Sequence, residues 1–248
     1  MCTSPEERSH DSNSPRAPVG CGRQARNGFY WASAFLIVVI SALLLSLPES
    51  ARVNSSLCVP AILVINLQIT TFFFVAGLML LERDEGMLNA LAVSPLSPSG
   101  YLVMRTVSLT GLAAAETIAI VWIGFGTSGS WSLILGGTAA LGVIYTGFGA
   151  AVATRYDSVN ALLLPASAFV ALLLLPLLPH FGLAPRLPFF VHPLEPPMTL
   201  IRAGYGAVDR IDVAFGVVGS FGWSAIAFVW GTNRVRALMH NTRASGGR

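Results

Sequence analysis

FFFVAGLMLLERDEGMLNALAVSPLSP, residues 72–98, runs from a fully apolar stretch into Glu82, Arg83, Asp84 and Glu85 and then into a serine- and proline-rich turn. An apolar helix that ends abruptly in charge is what a chain presents where it leaves a bilayer. The rest of the chain fits that reading. Of its 248 residues, 54% are hydrophobic and only 11% are charged, a balance that soluble domains rarely have.

The apolar run is the end of one of five that form a pattern. Phe29 to Leu47, Leu57 to Leu81, Tyr101 to Phe125, Trp131 to Val152 and Val213 to Trp230 are long enough, or nearly so, to cross about 30 Å of hydrocarbon. A shorter run, Ala161 to Leu178, carries Pro165 and Pro176 and is expected as a kinked span. Phe29 to Leu47 is long for a cleaved signal, and SLPESARV is a poor cleavage site, so it is expected to remain as the first span. The chain therefore reads as an all-α integral membrane protein of six transmembrane helices. Residues 28–232 form the membrane domain, 1–27 a disordered tail rich in Ser, Pro, Gly and Arg, and 233–248 a basic tail.

Charge sets the orientation. All fifteen basic residues are arginine, and with both termini cytoplasmic eleven fall inside and four outside (Arg52, Arg186, Arg202 and Arg210). That bias puts both termini and residues 81–98 on the cytoplasmic side; the inner (plasma) membrane is the expected location. The absence of lysine excludes a GxxxxGK[ST] phosphate loop, whose lysine contacts the nucleotide phosphates, so any ATP hydrolysis requires another subunit. Cys2, Cys21 and Cys58 have no metal or disulfide spacing, and there is no HExxH or GxSxG. The arginine-rich tail reads as an anchor on anionic lipid and not as a nucleic-acid arm.

Residues 81–98 read as a short helix of their own. Glu82, Asp84 and Glu85 are expected in its first turn, where acids complement the helix dipole, with Met87, Leu88 and Leu91 as an apolar stripe. Ser94 precedes Pro95, and a new helix is expected to start at Ser97 with Pro98 in its first turn. A plain connector needs no such stripe; it lies in the headgroups or fits a partner's groove.

The pattern from Glu82 to Arg105, with Glu82, Arg83, Gly86, Leu88, Leu91, Ser94, Pro95 and Leu96 in register, resembles the coupling segment of type-2 ABC exporter permeases. Met87 stands where those permeases commonly have threonine, and Arg105 where they have lysine. The length and the stretch FFFVAGLMLLERDEG resemble, more narrowly, permeases of fluoroquinolone export. The resemblance implies that Glu82, Arg83, Gly86, Met87, Leu88, Leu91, Ser94 and Pro95 dock a separate ATP-binding-cassette subunit, which holds the ATP and Mg. It also implies a second permease, identical or related, beside this one.

Within the spans, Glu116 is the one carboxylate far from either boundary, about 16 Å of helix from Arg105. A carboxyl group there must be neutral or hydrogen-bonded toward other helices, and it serves either a translocation pathway or helix packing. Asn66 and Thr70 lie at similar depth, and a regular helix puts them on one face with Phe73, Phe74 and Gly77. Gly142, Thr146 and Ala150, and Gly216, Ser220 and Ser224, are expected to let helices approach closely. From Pro179 to Asp212, prolines alternate with apolar residues, and Glu195 to Gly204 is expected as a short re-entrant or interfacial helix before the last span. His192 and Glu195 have a metal-pair spacing, but Pro193 between them and the lack of a third ligand argue against a site. The competing readings are a membrane-embedded enzyme or scaffold built on Glu116, or a permease for lipid or haem-like cargo.

Overall fold

In the computed structural model, residues 29–46, 54–86, 97–127, 129–206 and 208–246 are described. They form helices α1 (Phe29–Ser46), α2 (Ser55–Leu67), α3 (Phe74–Asp84), α4 (Pro98–Phe125), α5 (Trp131–Ala153), α6 (Val159–Leu173), α7 (Leu177–His180), α8 (Glu195–Ala203) and α9 (Arg210–Gly246). A π-helical segment, Gln68–Phe73, joins α2 to α3 without a break. The expected tail 1–27 and residues 87–96, which hold Met87, Leu88, Leu91, Ser94 and Pro95, lie outside the described residues.

Among the described residues, four helices are long and apolar enough to cross a membrane: Ser55–Asp84, Pro98–Phe125, Trp131–Ala153 and Arg210–His240. Two apolar helices are shorter, Trp31–Ser46 and Val159–Leu173. The shortness of α6 has a chemical cause. Pro165 is accommodated inside the helix, but Pro176, which cannot donate to the preceding turn, precedes a fresh start at Leu177. Much of the outer surface is apolar, with Trp31, Leu164, Ile211 and Phe221 each more than 70% exposed, a surface that water would not tolerate and acyl chains do.

Helix α5 is the hub, with α9, α8, α4 and α3 packed along it. Small residues make that possible. A β-carbon at Gly147 would stand 2.5 Å from the Ala227 carbonyl oxygen of α9, and one at Gly149 would stand 2.6 Å from the Phe72 carbonyl oxygen. The small face thus lets neighbours approach closely, Gly147 the backbone of α9 and Gly142 the Thr110 side chain of α4. An aromatic set closes the core: Phe148 meets Phe169 of α6 at 5.8 Å and Trp230 of α9 at 5.6 Å, edge to face.

Two local expectations are corrected. Glu82 and Asp84 lie in the last turn of α3 and not in the first turn of a new helix; the apolar run continues helically to Asp84, and Gly86, at φ +70°, ends it. Asn66 and Thr70 are buried, whereas the β position of Gly77 faces open space, so Gly77 does not share their face. The π segment is the reason, because its wider turn advances the register between Thr70 and Gly77. Helix α8 starts at Glu195 with Pro196 and Pro197 in its first turn and is followed by Gly204, as its sequence implies, and it is packed into the protein. Eight of its nine residues are buried, and it packs against α5 and α9.

Candidate functional site

The first candidate site is polar and sealed. Asn66 Nδ2 donates to Glu116 Oε2 at 2.8 Å, joining α2 to α4. The two side chains are 1% and 0% exposed. The hydroxyls of Ser33 on α1 and Thr70 lie against the same carboxyl group. Thr70 Oγ1 also donates to the Asn66 carbonyl, and Thr71 Oγ1 to that of Leu67, so the carbonyls entering the π segment are served by side chains. At the residue after Glu116, the Thr117 hydroxyl meets that of Thr138 at 3.3 Å between α4 and α5. The three residues singled out in the spans are therefore gathered at one place, with Ser33 added, and none of them borders open space.

The second candidate site is the foot of α3. Glu82 is 4% exposed, and its carboxylate accepts from the Tyr101 hydroxyl at 2.7 Å and pairs with the Arg105 guanidinium. Arg105 also lies over the Tyr101 ring, 5.5 Å from its centroid. A carboxylate in the last turn of a helix faces the negative end of the dipole, and Arg105 offsets that cost. Arg83, on the adjacent side, donates to the Tyr156 carbonyl at 3.2 Å and pairs with Asp157 at 2.6 Å. Ser97 caps α4 by accepting from Gly100 N at 3.0 Å, with Pro98 in the first turn. Each end of residues 87–96 is thus tied to helices or turns of this chain.

Outer residues make a third cluster. Glu195, 2% exposed, accepts from Arg186 Nε at 2.7 Å and from Arg202 Nη2 at 3.0 Å, and both guanidinium groups reach Thr199. His192 instead contacts the Leu172 carbonyl, so His192 and Glu195 are occupied separately. His180 Nε2 donates to the Leu57 carbonyl at 2.7 Å, and burial holds this imidazole below its ordinary pKa. Between α5 and α9 opens a cavity of about 390 Å³ with walls from Leu133, Ala140, Leu200, Val217 and Phe221, nearly all apolar.

With a buried polar pair between two long helices and an ion-paired foot at the end of Ser55–Asp84, comparison with known proteins gives one answer. The fluoroquinolones export permease protein family matches residues 19–235. This chain belongs to that family. Two proteins named fluoroquinolones export permease protein, from the CDC 1551/Oshkosh and H37Rv strains of Mycobacterium tuberculosis, are each 27% identical over 194 residues, 77% of this chain and 78% of theirs. No solved structure matches the chain.

For a member of an export permease family, the sequence pattern had pointed to Glu82, Arg83 and the residues after them but not to what holds them. Tyr101, Tyr156 and Asp157 were missed. Tyr101 stands four residues before Arg105, a spacing that stacks a ring on a guanidinium within one helix face, and that signal was available. Asp157 is the acid of the short turn after Ala153; nothing local marks it as the partner of an arginine 74 positions earlier.

Proposed function

We propose that this protein is the membrane-spanning subunit of an ATP-binding-cassette exporter, six spans with both termini cytoplasmic in the inner membrane. It pairs with a second permease, itself or a relative. ATP and Mg bind a separate ATPase subunit, which docks on the segment that follows Glu82 and Arg83 and includes Gly86, Met87, Leu88, Leu91, Ser94 and Pro95. Helices α1 and α6 supply the two spans that are short in the isolated chain.

The observation that carries this reading is the foot of α3. A loop joining two spans needs no buried ion pair, yet Glu82 and Arg83 are each fixed to a different part of the chain. That is the construction expected where force enters a membrane protein, because a stroke delivered to a slack loop would be absorbed by it. The cargo is lipophilic or amphipathic, since the spans offer few fixed charges; the names of the relatives make a fluoroquinolone the first candidate. Asn66, Thr70 and Glu116 form a polar lining of the pathway, closed in this conformation and opened when the spans separate.

The test is to reconstitute the permease with an ATP-binding-cassette subunit from the same cell and replace Leu88 with Arg. ATP hydrolysis continues while norfloxacin accumulation in everted vesicles stops. Unchanged accumulation in that variant would remove this segment from the mechanism.

A further inference from the structure

Glu82 and Arg83 are neighbours in sequence and diverge in space. Glu82 turns inward to Tyr101 and Arg105, near the start of α4. Arg83 turns sideways to the Tyr156 carbonyl and Asp157, in the turn between α5 and α6. Resting on the exporter reading, we propose that this dipeptide acts within the chain as a forked linkage: Glu82 ties the foot of α3 to α4, and Arg83 ties it to the α5–α6 turn, so that all three move together. Both are then positioning residues and not contacts for the ATPase subunit, and Tyr101, Arg105 and Asp157 belong to the same device.

Burial supports the first tine. Glu82, Tyr101 and Arg105 are each no more than 4% exposed, so a soluble partner has no access to the carboxylate. Geometry supports the second. An arginine joined to a backbone carbonyl and a carboxylate at once is oriented by two contacts, and α5, to which the Asp157 turn is attached, is the helix on which most others pack. Displacement of the α3 foot therefore reaches the hub without passing through the π segment, where span two changes register.

The Arg83–Asp157 tine is exposed enough to alter without unfolding the chain, and it is tested in the permease–ATPase complex. Arg83→Asp and Asp157→Arg, made singly, retain the bound ATPase subunit and its ATP turnover while norfloxacin transport per ATP hydrolysed falls about fivefold or more, the size of an ordinary coupling contact. The double exchange recovers most of the loss. A second measurement asks whether the two sites travel together. In a background lacking Cys2, Cys21 and Cys58, Arg83→Cys and Asp157→Cys joined by a short bis-thiosulfonate continue to transport.

Single variants that transport normally, or that shed the ATPase subunit, would overturn the linkage, as would a cross-link that halts transport until it is reduced. Failure of the parent reading looks different: Leu88→Arg would then leave transport intact whatever the state of Arg83.

Discussion

Asn66 on α2 and Glu116 on α4, fifty positions apart in the chain, meet at 2.8 Å in the interior, and neither side chain is more than 1% exposed. An amide and a carboxyl group so placed are expensive to leave unpaired, which makes the pair a joint between two long helices.

Removal of either partner should weaken that joint. Asn66→Leu leaves the carboxyl group without its donor and lowers stability by about 1–2 kcal/mol, the range for interhelical hydrogen bonds in membrane proteins. Glu116→Gln preserves an acceptor oxygen for Asn66 and costs less. Thermal unfolding of the two purified variants in detergent checks the ordering.

Accessibility tests whether the cluster also lines the pathway. Thr70 is fully buried, so a cysteine there, in the cysteine-free background, does not react with a thiol reagent in the resting complex. During ATP turnover it becomes reactive. Equal protection in both states would confine Thr70 to packing.

Close approach at the hub gives a sharper stability prediction. Gly147→Val places side-chain carbon against the Ala227 carbonyl and should destabilise by about 1–3 kcal/mol, as overpacked cores do. Gly136→Ala, on the same helix with open space at its β position, should be close to neutral. The pair is compared by the fraction of monodisperse protein after heating.

The outer ion cluster predicts an asymmetry. Glu195→Gln strands Arg186 and Arg202 around a neutral group and costs about 3 kcal/mol, whereas Asp212→Asn, which removes one 3.6 Å contact at a partly exposed position, costs less than about 1 kcal/mol. Unfolding midpoints of the two variants decide between this and an even division.

His180 adds a pH dependence of known sign. Burial first, and then the nearby Arg202, hold its pKa below the ordinary value, against the pull of the Leu57 carbonyl and Glu195. Its neutral form contributes stability above the unfolded value of about 6.5, and that contribution is lost as pH falls through the window below it. His180→Phe should therefore flatten the decline in melting temperature between neutral and mildly acidic pH.

The parts legible in sequence were those set by local chemistry. Apolar length gave the long helices, Ser97 and Pro98 gave the start of α4, and Pro196, Pro197 and Gly204 framed α8, because each is a property of a few adjacent residues. Register after Thr70 was not legible, since a π segment depends on which carbonyls Thr70 and Thr71 serve in the packed state. The inward turn of Glu82 was hidden for a related reason. Its acids suited a helix start by the dipole rule, and only the approach of Arg105 from another helix makes a helix end tolerable for them. Asn66 and Glu116 were each visible as costly residues at mid-depth; that they face one another is a fact of helix arrangement.

Export driven by a separate ATPase subunit requires that subunit to touch the residues just after the α3 foot. Met87→Cys carrying a photoactivatable cross-linker, in intact cells that express the permease together with their ATP-binding-cassette ATPases, tests this directly. The expected product is a covalent permease–ATPase adduct whose yield changes when nucleotide is depleted. Labelling of the same cysteine by an impermeant reagent added outside the cells, with no such adduct, would contradict it.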